Sequence, residues 1–188
     1  VVHPSVPANT LQELLDLAKA NPGKITWGSW GPASSPYMYM EWLKRERGIS
    51  FLDVPYKSAP FAYQGLQAGE VQVAVFATGP SIGVVKAGKA KALALVNPAR
   101  SPIVPNIPTL AEAGLPVTVL TWFGLFAPNG TPREMIQRVN AESVKAFFGN
   151  AAMVEKYLTQ QAFSTAAPTG GTPEAFAELI QSESARMG

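Results

Sequence analysis

Helix-like and strand-like segments alternate along the first half of the chain, with short connectors rich in Gly, Pro and Ser between them. Apolar residues at helical spacing predict the helices, and short apolar runs predict the strands. Such alternation is typical of a parallel sheet, because each helix returns the chain to the starting edge of the sheet. The pattern predicts an α/β fold with a doubly wound sheet. Its predicted elements are helix 10–20, strand 25–29, helix 37–46, strand 51–55, helix 61–67, strand 71–77, helix 80–87 and strand 92–96.

The second half of the chain contains little sheet. After a Pro-rich connector, 97–114, there is one predicted strand, 120–127. One strand cannot form a sheet by itself, so we expect its partner strands in a segment that the chain lacks. The opening Val1-Val2-His3-Pro4, which is typical of the inside of a fold, supports that expectation. The remaining predicted elements are a helical turn at 109–113 and helices at 133–148, 151–160 and 173–186.

Aromatic residues are concentrated in the predicted strand 120–127. Aromatic side chains in a strand belong more often to the core than to a ligand site. We therefore expect Phe123 and Phe126 in the core, whereas the pattern leaves the role of Trp122 open.

Composition excludes several classes of function. The net charge is +2 and the densest basic cluster is Lys44, Arg45 and Arg47, too little for the basic surface that nucleic acid requires. There is no cysteine, which excludes disulfides and thiolate metal sites. The one histidine, His3, lies at the start of the chain, and no pair of carboxylates shares a catalytic setting. We therefore expect no catalytic residue, no metal and no cofactor. Since no apolar run reaches about 18 residues, no direct membrane insertion is predicted.

The first candidate binding segment is 28–35, which follows a predicted strand and precedes a predicted helix. In open α/β sheets, ligands bind beyond the carboxyl ends of the strands, where helix N-termini present free N–H groups. Ser29, Ser34 and Ser35 offer hydroxyls to an anion, and Gly31 lets the backbone approach closely. The segment has no phosphate-binding motif. The alternative, which is the commoner role of such segments, is a plain connecting loop with an N-cap serine.

The second candidate segment, 54–61, has the same context of strand, loop and helix start. Backbone N–H groups near Ser58 and Ala59 can complete a cradle for a carboxylate. Lys57 either neutralises the acid or is a solvated lysine of the turn, and the second role is favoured because surface lysine is the usual case.

Several short motifs, each weak alone, follow one another in an order that resembles one family. That family is the substrate-binding proteins of tripartite tricarboxylate transporters, the TctC or Bug receptors, and the resemblance runs from end to end of the chain. The motifs are Asn21-Pro22-Gly23-Lys24, Gly28-Ser29, Val54-Pro55-Tyr56-Lys57, Ala87-Gly88-Lys89, Glu112-Ala113-Gly114-Leu115-Pro116, Trp122-Phe123-Gly124-Leu125-Phe126-Ala127-Pro128 and Gly171-Thr172-Pro173-Glu174.

The resemblance implies a periplasmic-binding-protein-like fold of type II, whose two lobes close on a small organic acid in the periplasm. It implies that residues 5–118 form the second lobe, and that 119–188 form a crossing strand and C-terminal helices of the first lobe, which is incomplete here. The crossings between lobes fall near 1–4 and 119–127. In the family, an N-terminal stretch with a glycine-rich loop precedes the segment seen here. The implied partners are the organic acid ligand and the membrane components of a tripartite tricarboxylate transporter, with no nucleic acid.

The chain departs from the family pattern at positions that the resemblance places in the pocket. Trp30 makes the first loop bulkier, and Tyr37 stands near the usual histidine. Ser58 replaces a glycine, and the aspartates common near Gly65 and Phe76 are absent. These changes predict a more apolar, aromatic pocket and a ligand that is an aromatic or long-chain carboxylate. The predicted ligand-binding residues are Ser29, Trp30, Gly31, Ser34, Ser35, Tyr37, Ser58, Ala59, Phe61 and Phe76.

Two other functions compete with a non-catalytic solute-binding protein. One is a ligand-sensing regulatory domain of similar fold, which a fused DNA-binding or transmembrane segment would favour. The other is an enzyme, which needs a titratable group in the cleft. Only Tyr56 and Lys57 are placed for that role.

Overall fold

The structure is a computed structural model that describes residues 1–97, 99–116, 122–161, 163, 165 and 168–187. The chain divides into two compact units, Val1–Thr118 and Val119–Gly188. The assignment of 5–118 and 119–188 to two lobes of a binding protein stays a prediction.

Helix α1, Leu11–Ala20, begins where the sequence places its cap. Thr10 Oγ1 accepts a hydrogen bond from the Glu13 N–H at 3.2 Å, and the Glu13 carboxylate accepts from the Asn9 N–H at 2.7 Å. This reciprocal arrangement satisfies N–H groups that have no partner within the helix. The apolar face of α1 is buried in the first unit through Leu14, Leu15 and Ala18.

The first unit contains a parallel three-stranded sheet with the order β2-β1-β3. In the central strand β1, Trp27 pairs with Asp53 of β2 on one side and with Val73 of β3 on the other. Three helices alternate with the strands, as predicted. The elements are β1 Thr26–Ser29, α2 Ser35–Arg47, β2 Leu52–Pro55, α3 Ala59–Ala68, β3 Val73–Ala74 and α4 Thr78–Lys86.

Helices cover both faces of this sheet. The Trp27 indole N–H donates to the carbonyl of Pro36 in α2 at 3.1 Å. On the next residue, Gly28, an added Cβ would lie 3.8 Å from the Cβ of Ala62 in α3. Because successive side chains of a strand point to opposite faces, α2 and α3 lie on opposite sides. The predicted α/β, doubly wound arrangement is confirmed for this unit.

The prediction of a fourth parallel strand at 92–96 is wrong. Residues 91 and 95 make only single bridges, and the position beside β3 is taken by the start of the chain. Val2, fully buried, pairs antiparallel with both Val73 and Lys91. The predicted strand 71–77 shortens to Val73–Ala74. Local apolar runs do not reveal which segment occupies a neighbouring position in the sheet, so the sequence could not predict this pairing.

The buried core of the first unit is built by residues from α1, β1, α2, α3 and β3 and by the start of the chain. Its largest fully buried apolar side chains are Leu66, Val2, Val6, Val71 and Pro36.

The second unit contains helices without a sheet among its described residues. Residues 122–127 form no strand, and Leu120 and Thr121 lie outside the described residues. Phe123 and Phe126 are 76% and 70% exposed, so the prediction that they lie in the core is wrong for this structure. The reason is physical: a strand needs a partner for its N–H and C=O groups. The helices are α5 Arg133–Phe148, α6 Ala151–Tyr157, a 3-10 turn Thr159–Gln161 and α7 Pro173–Met187.

None of the helices in the described part of the chain is long and apolar enough to cross a membrane.

Candidate functional site

Three loops meet at the carboxyl edge of the sheet. Ser29 at the end of β1 lies beside Pro55 at the end of β2, and Gly28 lies beside Ala74 at the end of β3. The Tyr56 N–H donates to the Ser29 carbonyl at 2.8 Å and extends this pairing by one residue. We call loops 30–34, 56–58 and 75–77, which follow β1, β2 and β3, the carboxyl-edge loops. Their position is where open α/β sheets bind ligands.

The three helices that start from the carboxyl-edge loops have uncapped N-termini. Their N-cap residues are Ser34 for α2, Ser58 for α3 and Ala77 for α4, and none makes a side-chain capping hydrogen bond. None of the three helices has an acidic residue in its first turn. By contrast, α1 and α6 are capped by the side chains of Thr10 and Asn150. The positive ends of three helix dipoles therefore remain uncompensated by side chains at this edge.

Two of the three hydroxyls predicted to bind an anion, those of Ser29 and Ser34, are used within the first loop. Ser34 Oγ donates to the Gly31 carbonyl at 2.7 Å and accepts from the Trp30 N–H at 3.3 Å. Ser29 Oγ accepts from the Gly31 N–H at 3.4 Å, and both serines are buried. Gly31 has a φ of 98°, which other residues adopt only with strain. These hydrogen bonds agree with the alternative interpretation, in which the segment is a connecting loop. Since Pro36 has no N–H and the Ser34 N–H donates to the Gly31 carbonyl, the donors of the uncapped first turn are the N–H groups of Ser35 and Tyr37.

An aromatic cluster joins two of the carboxyl-edge loops. The rings of Trp30 and Phe76 are stacked, with centroids 6.0 Å apart and planes 11° apart. Tyr63 of α3 packs edge-on against Phe76 at 5.1 Å and 79°. All three side chains are partly buried, and we call Trp30, Tyr63 and Phe76 the aromatic wall. The structure thus brings two predicted site residues together and adds Tyr63.

Sequence reasoning missed Tyr63. A signal was available, because Tyr63 lies four residues after Ala59 and so one helical turn along the same face of α3. The other predicted aromatic residues, Tyr37 and Phe61, lie in the first turns of α2 and α3. Phe61 is 52% exposed and Tyr37 is partly buried. The binding roles of all ten predicted residues remain predictions.

Tyr56 is directed away from the carboxyl edge. Its hydroxyl donates to the Glu70 carboxylate at 3.1 Å and lies against Gly65, well along α3 from Ala59. Burial raises the pKa of the Tyr56 hydroxyl, and the hydrogen bond to Glu70 raises it further. The residue is therefore a poor general base for a ligand at the loops. Lys57 is exposed.

No group of three His, Cys, Asp or Glu side chains that could hold a metal ion occurs among the residues described. A separate open depression of about 410 Å³ lies between the start of α1 and residues 106–113, and none of the predicted site residues lines it.

A family model described as "Tripartite tricarboxylate transporter family receptor" matches residues 1–188. The chain belongs to this receptor family. The predicted recognition is thereby confirmed, and membership of a transport receptor family agrees with the expectation that the chain is not an enzyme.

One curated relative of the chain is the UPF0065 protein in the tcbD-tcbE intergenic region of Pseudomonas sp. (strain P51). It is 37% identical to this chain over 96% of the chain and 54% of its own length. The chain thus spans about half the length of this relative.

Solved structures in the receptor family's fold superpose closely on the chain. The structure of R. palustris Rpa4515 with adipate is 28% identical, with a TM-score of 0.87, and the match covers 99% of this chain and 61% of that protein. A protein described as a periplasmic transporter is 32% identical, with a TM-score of 0.87, and the match covers 59% of that protein. MatC from Rhodopseudomonas palustris with bound malate is 27% identical, with a TM-score of 0.85, and the match covers 63% of MatC. The predicted binding-protein fold and the periplasmic location are confirmed at the level of the family.

Proposed function

We propose that the chain is part of a periplasmic solute-binding protein that captures a small carboxylate for a tripartite tricarboxylate-type transporter. The preferred ligand is an aromatic or long-chain dicarboxylate. Its partners are that acid and the membrane components of the transporter.

The observation that carries this proposal is the set of three uncapped helix N-termini at the carboxyl-edge loops. Free backbone N–H groups and the positive ends of α2, α3 and α4 favour an anion there. The absence of acidic residues from the first turns of these helices removes the usual internal competitor for the same N–H groups. A carboxylate suits such a site, because it accepts several hydrogen bonds without needing a cationic side chain.

The aromatic wall supports the finer choice of ligand. Its rings lie next to the helix N-termini that start from the same loops, so one end of a ligand meets amide donors and the remainder meets apolar surface. A short hydroxy-diacid such as malate has little hydrocarbon for this surface, whereas adipate or an aromatic diacid has more. Both adipate and malate occur in solved relatives of similar identity to this chain.

Isothermal titration of the chain with terephthalate, adipate, malate and the neutral diamide of adipic acid tests the proposal. We expect terephthalate and adipate to bind more tightly than malate, and the diamide to show no binding. The diamide is the matched control for charge, because it keeps the length and hydrocarbon of adipate.

Two results count against the proposal in different ways. Tighter binding of malate than of either longer acid removes the preference for an aromatic or long-chain ligand. Equal binding of adipate and its diamide would show that the carboxylate groups do not contribute to recognition.

A further inference from the structure

We propose that Tyr63 is a positioning residue, which holds the aromatic wall in the geometry that receives the hydrocarbon part of the ligand. The inference rests on the proposed function and adds to it a specificity-determining residue outside the predicted set.

Tyr63 connects the parts of the site that the sequence keeps apart. It belongs to α3, which starts from loop 56–58, and its ring packs edge-on against Phe76 of loop 75–77. Phe76 in turn stacks on Trp30 of loop 30–34. Through Tyr63 and Phe76 together, all three carboxyl-edge loops are therefore joined.

The Tyr63 hydroxyl adds a second attachment. It donates a hydrogen bond to the carbonyl of Pro80, which lies in the first turn of α4. The ring of Tyr63 is thereby restrained at both its edge and its hydroxyl, so it cannot turn away from Phe76 without losing the bond. Burial raises the pKa of Tyr63 and keeps the hydroxyl a donor at neutral pH.

The inner side of Phe76 is supported as well. Phe76 packs against the buried cluster of Leu66, Val71 and Ala90. With core residues behind Phe76 and Tyr63 at its edge, the orientation of Phe76 against Trp30 is determined by packing. Because side chains pre-set by packing bind a ligand without an ordering cost, Tyr63 contributes to affinity for long or aromatic acids without acting on their carboxylates.

Two substitutions separate the two attachments. Tyr63→Phe keeps the ring and removes the bond to the Pro80 carbonyl, and Tyr63→Leu also removes the edge-on ring contact. The matched control is Tyr56→Phe, which removes a tyrosine hydroxyl from its hydrogen bond to Glu70. It keeps the Tyr56 ring, which packs against the same buried cluster as Phe76.

Two measurements are made on each protein. The first needs no ligand: acrylamide quenching of Trp30 fluorescence, obtained as the difference between each protein and its Trp30→Phe counterpart. The second is the affinity for terephthalate and for malate by isothermal titration, with the melting temperature recorded for every variant.

We expect quenching of Trp30 to increase in Tyr63→Phe and more in Tyr63→Leu, and to stay unchanged in Tyr56→Phe. Affinity for terephthalate should fall about five-fold in Tyr63→Phe, the size of one lost hydrogen bond, while affinity for malate stays the same. Tyr56→Phe should change neither affinity, even if its melting temperature falls as much as that of Tyr63→Phe.

The proposal is overturned if Trp30 quenching is the same in both Tyr63 variants as in the wild-type chain. It is also overturned if terephthalate and malate lose affinity equally in Tyr63→Phe, because that pattern indicates general destabilisation. If the wild-type chain binds none of the acids, the proposed function fails, whereas the quenching comparison still decides whether Tyr63 positions the wall.

Discussion

At the scale of single residues, Gly65 is required by the side chain of Tyr56. A Cβ added at Gly65 would overlap the Tyr56 hydroxyl and lie 2.6 Å from the ring carbon that bears it. Both residues lie in or beside α3, where a glycine otherwise weakens a helix. The space that the Tyr56 ring occupies is therefore a structural reason for a glycine at position 65.

We predict that Gly65→Ala lowers the free energy of unfolding by about 1–3 kcal/mol, because the new methyl group displaces Tyr56 from its contact. Urea unfolding followed by circular dichroism measures the effect. Gly83→Ala is the matched control, since Gly83 is also helical and an added Cβ there meets nothing within 4 Å. The control should be neutral or stabilising by up to about 1 kcal/mol. Equal losses in both variants would contradict the argument from Tyr56.

Glu112 makes the helical turn at 109–113 sensitive to pH. Its carboxylate accepts from the Thr109 N–H at 2.8 Å and from Arg100 Nε at 2.8 Å. The Thr109 hydrogen bond first, and Arg100 second, hold the pKa of Glu112 below its ordinary value of 4.5. Because the folded pKa is the lower one, this contribution to stability is present above the ordinary value and is lost as the pH falls through the folded one.

We predict that Glu112→Gln destabilises the chain at about pH 6. The difference from wild type should narrow at about pH 3, because the contribution of the carboxylate is lost as the pH falls from the ordinary pKa towards the lowered folded pKa. Urea midpoints of the two proteins at the two pH values measure this. A difference that stays constant between the two pH values would show that the ionised carboxylate of Glu112 does not contribute.

At the scale of elements, the helices divide into two classes. Helices α1 and α6 have side-chain caps, whereas α2, α3 and α4 begin at the carboxyl-edge loops without a cap and without an acidic residue in the first turn. Helix α5 also lacks a side-chain cap, but Glu134 lies in its first turn. The sequence predicted α5 with the bounds Arg133–Phe148 that the structure has, because amphipathic periodicity and flanking Gly and Pro residues are local signals. It could not distinguish a serine that caps from one that does not. The Ser34 hydroxyl forms hydrogen bonds within loop 30–34 and does not cap α2, and this depends on how the loop folds back on itself.

We predict that Ser58→Asp raises the stability of the chain by about 0.5–1 kcal/mol, because a carboxylate at the start of α3 caps the helix and complements its dipole. The same substitution should weaken binding of adipate at least about tenfold, since the new anion occupies the N–H groups meant for the ligand. Melting temperature and isothermal titration measure the two effects.

Ser58→Asn is the control for that experiment, because asparagine caps as well as aspartate but carries no charge. It should stabilise α3 with a smaller loss of affinity. If Ser58→Asp leaves adipate binding unchanged, the start of α3 is not part of the ligand site.

At the scale of the whole molecule, the two units differ in what they bury. The first unit has an apolar core drawn from its helices, strands and chain start. In the second unit, Phe123, Leu125 and Phe126 are 70% to 78% exposed, and Met135 and Val139 on α5 are more than half exposed. The aromatic contacts there include the packing of Trp122 and Phe126 against Phe176 and of Phe123 against Phe163. Exposed apolar surface of this extent marks a face that interacts with other molecules or aggregates.

We predict that the chain in solution binds the dye anilinonaphthalene sulfonate through this face. Replacing Phe123 and Leu125 together with serine should reduce dye fluorescence by about half or more, while the free energy of unfolding changes by less than about 0.5 kcal/mol per substitution. Replacement of the exposed Leu52 of the first unit by serine is the control for general loss of apolar surface. Unchanged dye binding in the double variant would place the dye elsewhere.

The sequence by itself determined the local features of this protein: the alternation of helices and strands, the start of α1, the extent of α5 and the motifs that mark the receptor family. These depend on periodicity, caps and turns within a few residues of one another. Only the tertiary structure decided that the start of the chain pairs beside β3, that Phe76 packs against both Trp30 and Tyr63, and that Phe123 is exposed. Those features depend on which distant segments meet, and no residue pattern along the chain records that choice.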